Sequence, residues 1–323
     1  MPRWLTYTLI ATAIWSVWGI VSALVSREAA PLVTQVISTL GVVPAALLLF
    51  LSPEWKQGTN FKLGILFAAL TGLSGSAGNL CLLRALSLQG PISIVLPVSG
   101  MFPLVTALLA MLLLRERLNR TQAVGLVVAL AAIYVVGIET SGASASEGVR
   151  AFHVAALTTP WMFWTFTALV FWGGSAFLQK VSTFYCSSEL CTIVFSLVSI
   201  PMAVAILLLV PNLSFKLSGK GWLLSILFGA LIGIGGLVTF ASYRWGKASV
   251  VTPIIGLYPA ITVLLAVPLL REQLDTLRIV SVILALTAGI ALSRESDPAA
   301  RNDMDRGPSC VISGKEVQPC KIP

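Results

Sequence analysis

Two segments of the chain repeat the same proline, glycine and hydroxyl residues inside apolar sequence. Residues 85–118 and residues 241–274 agree at 16 of 34 aligned positions without a gap. An apolar match by chance would share Leu, Ala and Val, but these segments also share residues that break or polarise a helix. The shared residues of this kind are Gly90/Gly246, Ser93/Ser249, Pro97/Pro253, Gly100/Gly256, Pro103/Pro259 and Thr106/Thr262. The repeat therefore predicts two equivalent halves, each with a proline-interrupted helix.

The prolines could expose hydrogen-bond acceptors within these helices. A proline has no amide hydrogen, and its ring displaces the carbonyl four residues earlier, which for Pro97 is that of Ser93. Such carbonyls must face protein or a wet cavity rather than lipid. We predict that the repeated stripe forms a hinge and lines a central pathway. Packing through small residues is the alternative, which we favour for the glycines. The stripe comprises Ser93, Pro97, Gly100 and Pro103, and Ser249, Pro253, Gly256 and Pro259.

Amide and aromatic side chains within the apolar segments are candidates for contacts with a small molecule. Asn79 is the one amide in the third segment, and a buried amide requires hydrogen-bond partners. Trp172, which matches Trp18 of the first segment, lies about a dozen residues into its helix, too deep for an interfacial role. Packing against a neighbouring helix is the alternative for both residues. Further candidates are Trp15, Phe102, Tyr243 and Tyr258.

The composition is that of an integral membrane protein. Hydrophobic residues make up 57% of the chain and charged residues 11%, whereas soluble domains contain about 25% charged residues. The mean hydropathy is +0.92. Because about 20 apolar residues span a bilayer as a helix, we predict an all-α membrane protein with ten transmembrane helices. Their predicted bounds are 5–26, 31–51, 62–86, 91–114, 121–139, 160–181, 189–210, 220–243, 249–270 and 275–293.

The ten helices divide into two five-helix repeats of opposite orientation. The first repeat covers residues 1–140 and the second covers 160–293, with a linker at 141–159 and a polar, disordered tail at 294–323. Loops on the side of the N-terminus carry twelve Lys and Arg against seven on the other side, which places both termini in the cytoplasm. Five helices are an odd number, so the second repeat enters the membrane from the opposite side, as in many secondary transporters.

Acidic residues are missing from the predicted helix interiors. All four Asp residues lie at or after Asp275, and every Glu lies in a loop, in the tail or at a helix end. A carboxylate at mid-membrane marks a proton relay, because burying it costs at least about 2.5–3.5 kcal/mol, so the sequence disfavours a carboxylate-based proton antiporter. Each of the two repeated segments has an Arg-Glu pair near its end, which forms either a helix-end ion pair or a gate that breaks and re-forms. The two pairs are Arg115-Glu116 and Arg271-Glu272.

The chain resembles the EamA-like families of the drug/metabolite transporter superfamily over residues 5–293. The resemblance lies in the motif ALSLQGPISIVLPVSGMFPLVTALLA, whose two copies end in LRERL and LREQL. It implies ten helices in two inverted halves, cytoplasmic termini, and export of small solutes such as amino acids and related metabolites. It also implies that the third, fourth, sixth, eighth and ninth helices line the cavity. The substrate-binding residues so indicated are Asn79, Ser99, Phe102, Trp172, Tyr243 and Tyr258, to which we add Trp15.

We therefore predict an inner-membrane transporter that moves small solutes by alternating access. Amino acids or related metabolites are the favoured solutes, and export is the favoured direction. Its partners would be the solute and the lipid bilayer, with a monomer and a homodimer both left open, and the scattered basic residues argue against nucleic acid. We predict no cofactor, no metal and no enzymatic activity, because the lone His153 lies in the central loop and no catalytic set converges. A membrane scaffold or subunit without transport is the alternative, and an intramembrane enzyme is the least favoured one.

Overall fold

The computed structural model of the chain describes residues 2–113, 159–246 and 248–270, together with isolated positions between 120 and 131 and between 279 and 291. The regular elements of these residues are helices. A single isolated β-bridge joins Gly58 to Cys186 within the described ranges. The architecture is therefore all-α in the part of the chain that is described, as the composition predicts.

Six described helical spans are long and apolar enough to cross a membrane, and they agree with six of the predicted ones. Proline starts two of them, at Pro31 and at Pro160, where its missing amide hydrogen would have no helical partner anyway. Side-chain oxygens cap others, as Asn60 does by accepting from the amide of Leu63. The spans are α1 (Arg3–Glu28), α2 (Pro31–Leu47) with a 3₁₀ turn (Leu48–Leu51), α3 (Phe61–Ser87), α6 (Pro160–Ser182), α7 (Ser188–Leu197) with α8 (Ser199–Leu209), and α9 (Gly219–Trp245).

The two spans that carry the repeated prolines are each broken into two short helices. The fourth span consists of α4 (Ile92–Ser99) and α5 (Phe102–Leu113), and the ninth consists of α10 (Ala248–Ile255) and α11 (Tyr258–Leu270). Pro103 and Pro259 are the second residues of α5 and α11, a position that tolerates proline. These two prolines therefore begin a helix after a break, rather than kinking a continuous helix as the sequence suggested.

The fifth and tenth predicted spans, at 121–139 and 275–293, fall largely outside the described residues. The linker and the tail lie outside them as well. The count of ten helices therefore stays a prediction.

Helices of the two repeats exchange partners across the molecule. The most extensive interfaces join α3 to α6, α1 to α9 and α2 to α9, and each pairs a helix of the first repeat with one of the second. The interrupted helices follow the same rule, since α5 packs on α6 and α11 packs on α1. Two bundles result, one built around α1 and α9 and the other around α3 and α6, and neither corresponds to one half of the sequence.

Glycines permit the closest helix contacts. A β-carbon at Gly229 of α9 would collide with the carbonyl oxygen of Ser38 in α2, and one at Gly41 of α2 would collide with the carbonyl oxygen of Ile226 in α9. Small residues that let two backbones approach are a common source of helix association in membranes, where lipid provides no hydrophobic driving force. The α2–α9 contact therefore depends on these two glycines.

This seam leads to a prediction about stability. We expect Gly229→Ala to lower the free energy of unfolding by about 1–3 kcal/mol, because the added methyl group must push two backbones apart. The matched control is Gly174→Ala in α6, where the nearest atom to the added carbon, the Ser74 hydroxyl oxygen, would be 3.6 Å away. Thermal unfolding of the purified protein in detergent measures both variants, and equal melting temperatures would contradict the proposed seam.

Candidate functional site

A cavity of about 90 Å³ lies between the two bundles. Helices α1, α3, α6, α7 and α9, together with the interrupted fourth and ninth spans, contribute to its wall. Seven of its sixteen lining residues are aromatic, and most of the others are small or carry a neutral polar group. The lining residues are Trp15, Trp18, Gly75, Asn79, Phe102, Trp172, Ser175, Ala176, Gln179, Phe195, Ile232, Gly236, Thr239, Tyr243, Ile255 and Tyr258.

The aromatic rings form a contiguous cluster around Trp18. Its ring centroid is 5.5 Å from that of Trp15 and 5.6 Å from that of Trp172, with edge-to-face geometry in both pairs. Tyr258 lies 6.4 Å from Trp18, and Phe102 lies 6.4 Å from Trp172. Edge-to-face aromatic pairs are favourable arrangements that hold their partners in defined positions. The cluster therefore presents a rigid apolar wall to the cavity.

Hydrogen bonds orient the polar groups of the wall. The Trp172 indole Nε1–H donates to Asn79 Oδ1 at 3.2 Å, which links α6 to α3. The Trp15 Nε1–H donates to Thr239 Oγ1 at 3.0 Å, which links α1 to α9. The two contacts are of the same kind, one in each bundle, because each joins a tryptophan to a neutral polar side chain of the helix packed against it. Each also fixes a ring that lines the cavity.

The described lining residues include no Asp, Glu, His, Lys or Arg. The phenol of Tyr243 shares a 2.8 Å hydrogen bond with the Thr252 hydroxyl, and the Ser175 hydroxyl donates to the Thr71 carbonyl at 3.0 Å. The wall thus combines amide, hydroxyl and indole groups with aromatic faces. Such a wall can hold a small molecule by shape, by ring contact and by directed hydrogen bonds.

Hydroxyl groups donate hydrogen bonds to carbonyls of neighbouring helices around the two helix breaks. In the ninth span, Thr12 of α1 donates to the Ile254 carbonyl at 3.3 Å, and Ser16 donates to the Tyr258 carbonyl at 3.3 Å. The repeated threonines bridge helices in the same manner in both copies. Thr106 donates to the carbonyls of Phe102 and Gly173, and Thr262 donates to those of Tyr258 and Ser16.

This arrangement bears on the prediction that freed carbonyls line the pathway. Protein hydroxyls bond the Ile254 and Tyr258 carbonyls, whereas Pro253 and Pro259 would free those of Ser249 and Ile255, so the role of the freed carbonyls stays a prediction. Gly100 packs so closely on Pro259 that a β-carbon there would collide with the proline ring. The stripe contributes no residue to the cavity wall within the described positions. Gly100 and Pro259 therefore pack closely between the fourth and ninth spans, which is the interpretation favoured for the glycines, and the pathway role of the repeated prolines stays a prediction.

The structure brings most of the predicted substrate-binding residues to this one cavity. Ser99 is the exception, because it is fully buried and its hydroxyl donates to the Val95 carbonyl of its own helix at 2.6 Å. Contrary to the prediction, Ser99 therefore does not line the cavity. The residues that do line the cavity are Trp15, Asn79, Phe102, Trp172, Tyr243 and Tyr258. Their role in binding a substrate stays a prediction.

Several other predicted residues cannot be placed. The side chains of Ser93, Pro97, Ser249 and Pro253 lie outside the described part of the chain, although their backbones are helical. The Arg-Glu pairs at 115–116 and 271–272 also lie outside it. Pro103 is buried and Gly256 is partly buried, and neither lines the cavity.

Sequence reasoning missed several residues of the wall. Gln179 is an amide within the sixth span, so the argument that singled out Asn79 would also have found it. Trp18 was recognised only as the counterpart of Trp172. Phe195, Ser175 and Thr239 carried no distinguishing signal, since each is an ordinary residue for an apolar helix.

A lysine joins the two bundles beside the cavity. Lys180, next to the lining residue Gln179, extends from α6 and donates from Nζ to the carbonyls of Tyr243 at 2.8 Å and Gly246 at 3.0 Å. These carbonyls belong to the C-terminal end of α9, where a cation is favoured by the helix dipole. The contact joins the two bundles. At the same end, Arg244 reaches Gln57 at 3.5 Å.

Comparisons with known proteins bear on both repeats. A model of the EamA-like transporter family matches the chain twice, at residues 2–138 and 159–294. An uncharacterized protein of Methanocaldococcus jannaschii is 31% identical over 126 residues, which cover 38% of this chain and 89% of that protein. A solved crystal structure aligns with a TM-score of 0.62 at 18% identity, and the alignment covers 90% of this chain and 95% of that one. At that identity the structural match concerns the fold alone.

The Lys180 contacts predict how this end of the bundles responds to mutation. Lys180→Met removes charge-assisted hydrogen bonds worth about 1.5–3 kcal/mol each, so we expect this end to open more often. Phe240 of α9 packs on the buried free thiols Cys186 and Cys191, and opening would uncover them. We expect their reaction with an impermeant maleimide, located by mass spectrometry, to rise at least about tenfold, because a tenfold change requires a loss of only about 1.4 kcal/mol.

The matched control is Lys220→Met. Lys220 forms a 2.7 Å salt bridge with Glu28, but this pair is solvent-exposed and joins α1 to α9 within one bundle, so it contributes about 0–1 kcal/mol. Equal labelling in the two variants would show that Lys180 does not hold the end closed.

Proposed function

Because a model of the family matches both of its repeats, the chain belongs to the EamA-like transporter family, and we propose that it moves small solutes through the central cavity. It is a multi-pass membrane protein, as its apolar helices indicate. The observation that carries the proposal is the cavity itself, which lies where helices of the two repeats meet and is lined by aromatic rings and neutral polar groups. Substrate sites of repeat-built transporters lie at such repeat interfaces.

Alternating access is the mechanism that we propose, and the arrangement of the two bundles supports it. Each contains one interrupted span, which packs on the long helix of the opposite repeat. The breaks at residues 100–101 and 256–257 supply backbone that can absorb rotation at the bundle interface, as hinges do. Lys180 links the bundles at one end of the cavity. Its release, with closure of the opposite end, would expose the cavity to alternate sides of the membrane.

The finer assignments are part of the same proposal. Amino acids or related metabolites are the solutes, export is the direction, and the inner membrane is the location, with both termini in the cytoplasm. Neutral polar groups and aromatic faces suit molecules that combine a ring or alkyl body with polar groups. The family is one of transporters rather than of enzymes, which favours transport over catalysis for this cavity.

Transport by reconstituted protein tests the proposal directly. Proteoliposomes that contain the purified protein should release preloaded amino acids and metabolites of a test panel faster than protein-free liposomes loaded in the same way. We expect Ala176→Phe to abolish this release, because Ala176 lines a cavity of only about 90 Å³ and the added ring would fill it. Radiolabelled efflux measures the rates.

A control on the same helix separates blocking from misfolding. Val170 of α6 is 57% exposed on a surface outside the cavity, so Val170→Phe should leave efflux at the wild-type rate. Efflux at the wild-type rate by the Ala176→Phe variant would show that the solutes do not pass through this cavity. If the wild-type protein transports no solute of the panel, the result would favour the alternative that it is a membrane scaffold or subunit without transport.

The neutral cavity wall also predicts the energy source. No acidic side chain lies among the described lining residues, and proton-coupled carriers rely on such groups. We therefore expect solute flux to follow the solute's own gradient. Adding a protonophore should leave the initial rate of efflux unchanged. Changing the pH equally on both sides from about 6 to about 8 should also leave it unchanged, because these neutral groups do not titrate in that range. A rate that collapses with the proton gradient would point to an acid outside the described wall.

A further inference from the structure

Two free thiols meet where the chain enters α7. The Sγ atom of Cys186, in the turn between α6 and α7, lies 2.6 Å from the Sγ atom of Cys191, and both side chains are buried. A disulfide bond is about 2.0 Å long, so a covalent bond between these two sulfurs requires only a small local movement. Cys81, the other described cysteine, lies on α3 in a different buried cluster.

The start of α7 explains why the two thiols are neighbours. Ser187 caps the helix, because its hydroxyl oxygen accepts from the amide of Leu190 at 3.1 Å. Cys186 precedes this cap and Cys191 is the fourth residue after it, and apolar side chains at these two positions commonly pack together and fix the entry of the chain into a helix. Leucine or valine would suffice for that packing, whereas a cysteine at each position also allows a bond between them.

The surroundings favour Cys186 as the more reactive thiol of the pair. The hydrogen bond with Cys191 lowers the pKa of the Cys186 thiol, and the positive charge of Arg244 lowers it further, while burial acts in the opposite direction. Amide groups at the start of a helix also favour a negative charge beside them. Because the thiolate is the nucleophile in thiol–disulfide exchange, Cys186 is the attacking thiol and Cys191 the resolving one.

An exposed segment of the chain lies against Cys186. Residues 57–60 are exposed, and Gly58 pairs with Cys186 through an isolated β-bridge. The amide of Thr59 donates to the Tyr185 carbonyl at 2.8 Å. Exposed segments held by a few backbone hydrogen bonds open at a lower free energy than the core. Local opening of this segment therefore gives a small molecule access to Cys186 without unfolding of the helices.

The thiol pair lies where the two bundles meet. Ala68 of α3 and Phe240 of α9 pack in one buried cluster with Cys186 and Cys191. Helix α3 belongs to one bundle and α9 to the other. A bond that forms between the thiols is therefore placed beside the interface between the bundles.

We infer that Cys186 and Cys191 form a reversible dithiol–disulfide site that a small disulfide oxidises. The Cys186 thiolate attacks one sulfur of the small disulfide, and the other half of that molecule leaves as a thiolate. Cys191 then gives up its proton to water, attacks the Cys186 sulfur of the mixed disulfide and releases the second thiolate. The cysteine pair loses two electrons and two protons, and the small disulfide gains them as two thiols. This inference does not depend on the proposed transport function.

Peptide mapping after oxidation tests the inference. Trypsin leaves both cysteines on the peptide 181–216, which contains no other cysteine. The purified full-length protein is incubated with oxidised glutathione, denatured in the presence of N-ethylmaleimide and digested. We expect a peptide in which neither cysteine is alkylated and whose mass is about 2 Da below that of the reduced peptide, because two hydrogens are lost. Dithiothreitol should restore alkylation of both cysteines.

The other described cysteine provides an internal comparison. We expect the oxidised fraction of the pair to exceed the fraction of Cys81 that carries glutathione by at least about tenfold, because a resolving thiol held in contact makes the second step intramolecular. Mass spectrometry of the same digest measures both fractions.

Single variants assign the two roles. Cys191→Ala removes the resolving thiol, so a mixed disulfide with glutathione should accumulate on Cys186. Cys186→Ala removes the attacking thiol, so Cys191, which is 0% exposed, should stay free of glutathione. Cys81→Ala is the matched control and should form the same disulfide as the wild type. A stable adduct on one cysteine of the pair but not on the other cannot arise from misfolding, which would expose both.

Three outcomes would contradict the inference. Alkylation of both cysteines after treatment with the oxidant would show that the pair is only a packing contact. A disulfide that joins either of them to Cys310 or Cys320 would place the reactive partner elsewhere. Equal glutathione adducts in the two single variants would show that Cys186 is not the attacking thiol. Efflux of the solute panel enters none of these measurements, so a failure of the proposed function would be recognised separately.

Discussion

A broken helix inside a membrane must pack on protein rather than lipid at its break, and a hydrogen bond of the same kind holds both broken helices here to a long helix of the opposite repeat. In each repeat a threonine five residues after the break bridges a carbonyl of its own helix and one of a long helix from the opposite repeat. The long helices can come this close because of glycine. A β-carbon at Gly19 would lie 2.6 Å from the Thr262 hydroxyl. The exchange of helices between repeats follows from these contacts.

The cavity is what remains when those contacts are made. Glycines and hydroxyls occupy the sides of α1 and α6 that meet the broken helices, so the large rings of Trp15, Trp18 and Trp172 face the space between the bundles. Hydrogen bonds to Asn79 and Thr239 then fix two of the rings. The neutral wall follows from the apolar sequence, since charged residues are confined to helix ends in most of the chain. Lys180 acts at such an end, where it joins the bundles.

Sequence reasoning found much of the cavity wall because polarity and aromaticity inside an apolar helix are rare and local signals. It identified Asn79 and Trp172 but placed Ser99 in the wall, where a hydroxyl bound to its own helix turn does not reach. Whether a serine satisfies itself locally or reaches a neighbour depends on rotation about the helix axis. That rotation is decided by packing, which no spacing rule contains. Gln179 was missed although it obeyed the same rule as Asn79.

By itself the sequence determined the membrane setting, the two repeats, the family and which two repeated spans are interrupted, because hydropathy and proline chemistry act locally and internal identity can be read directly from the chain. The tertiary structure decided which helices pair, that the functional bundles mix the two halves, and that Trp18 holds an unpaired donor beside the cavity. Those properties depend on contacts between residues far apart in the sequence, such as the Thr106–Gly173 and Thr262–Ser16 bonds, which join residues 67 and 246 positions apart. Partner choice there is made by glycine seams and bridging hydroxyls acting together, so it emerges only when the whole helical assembly is packed.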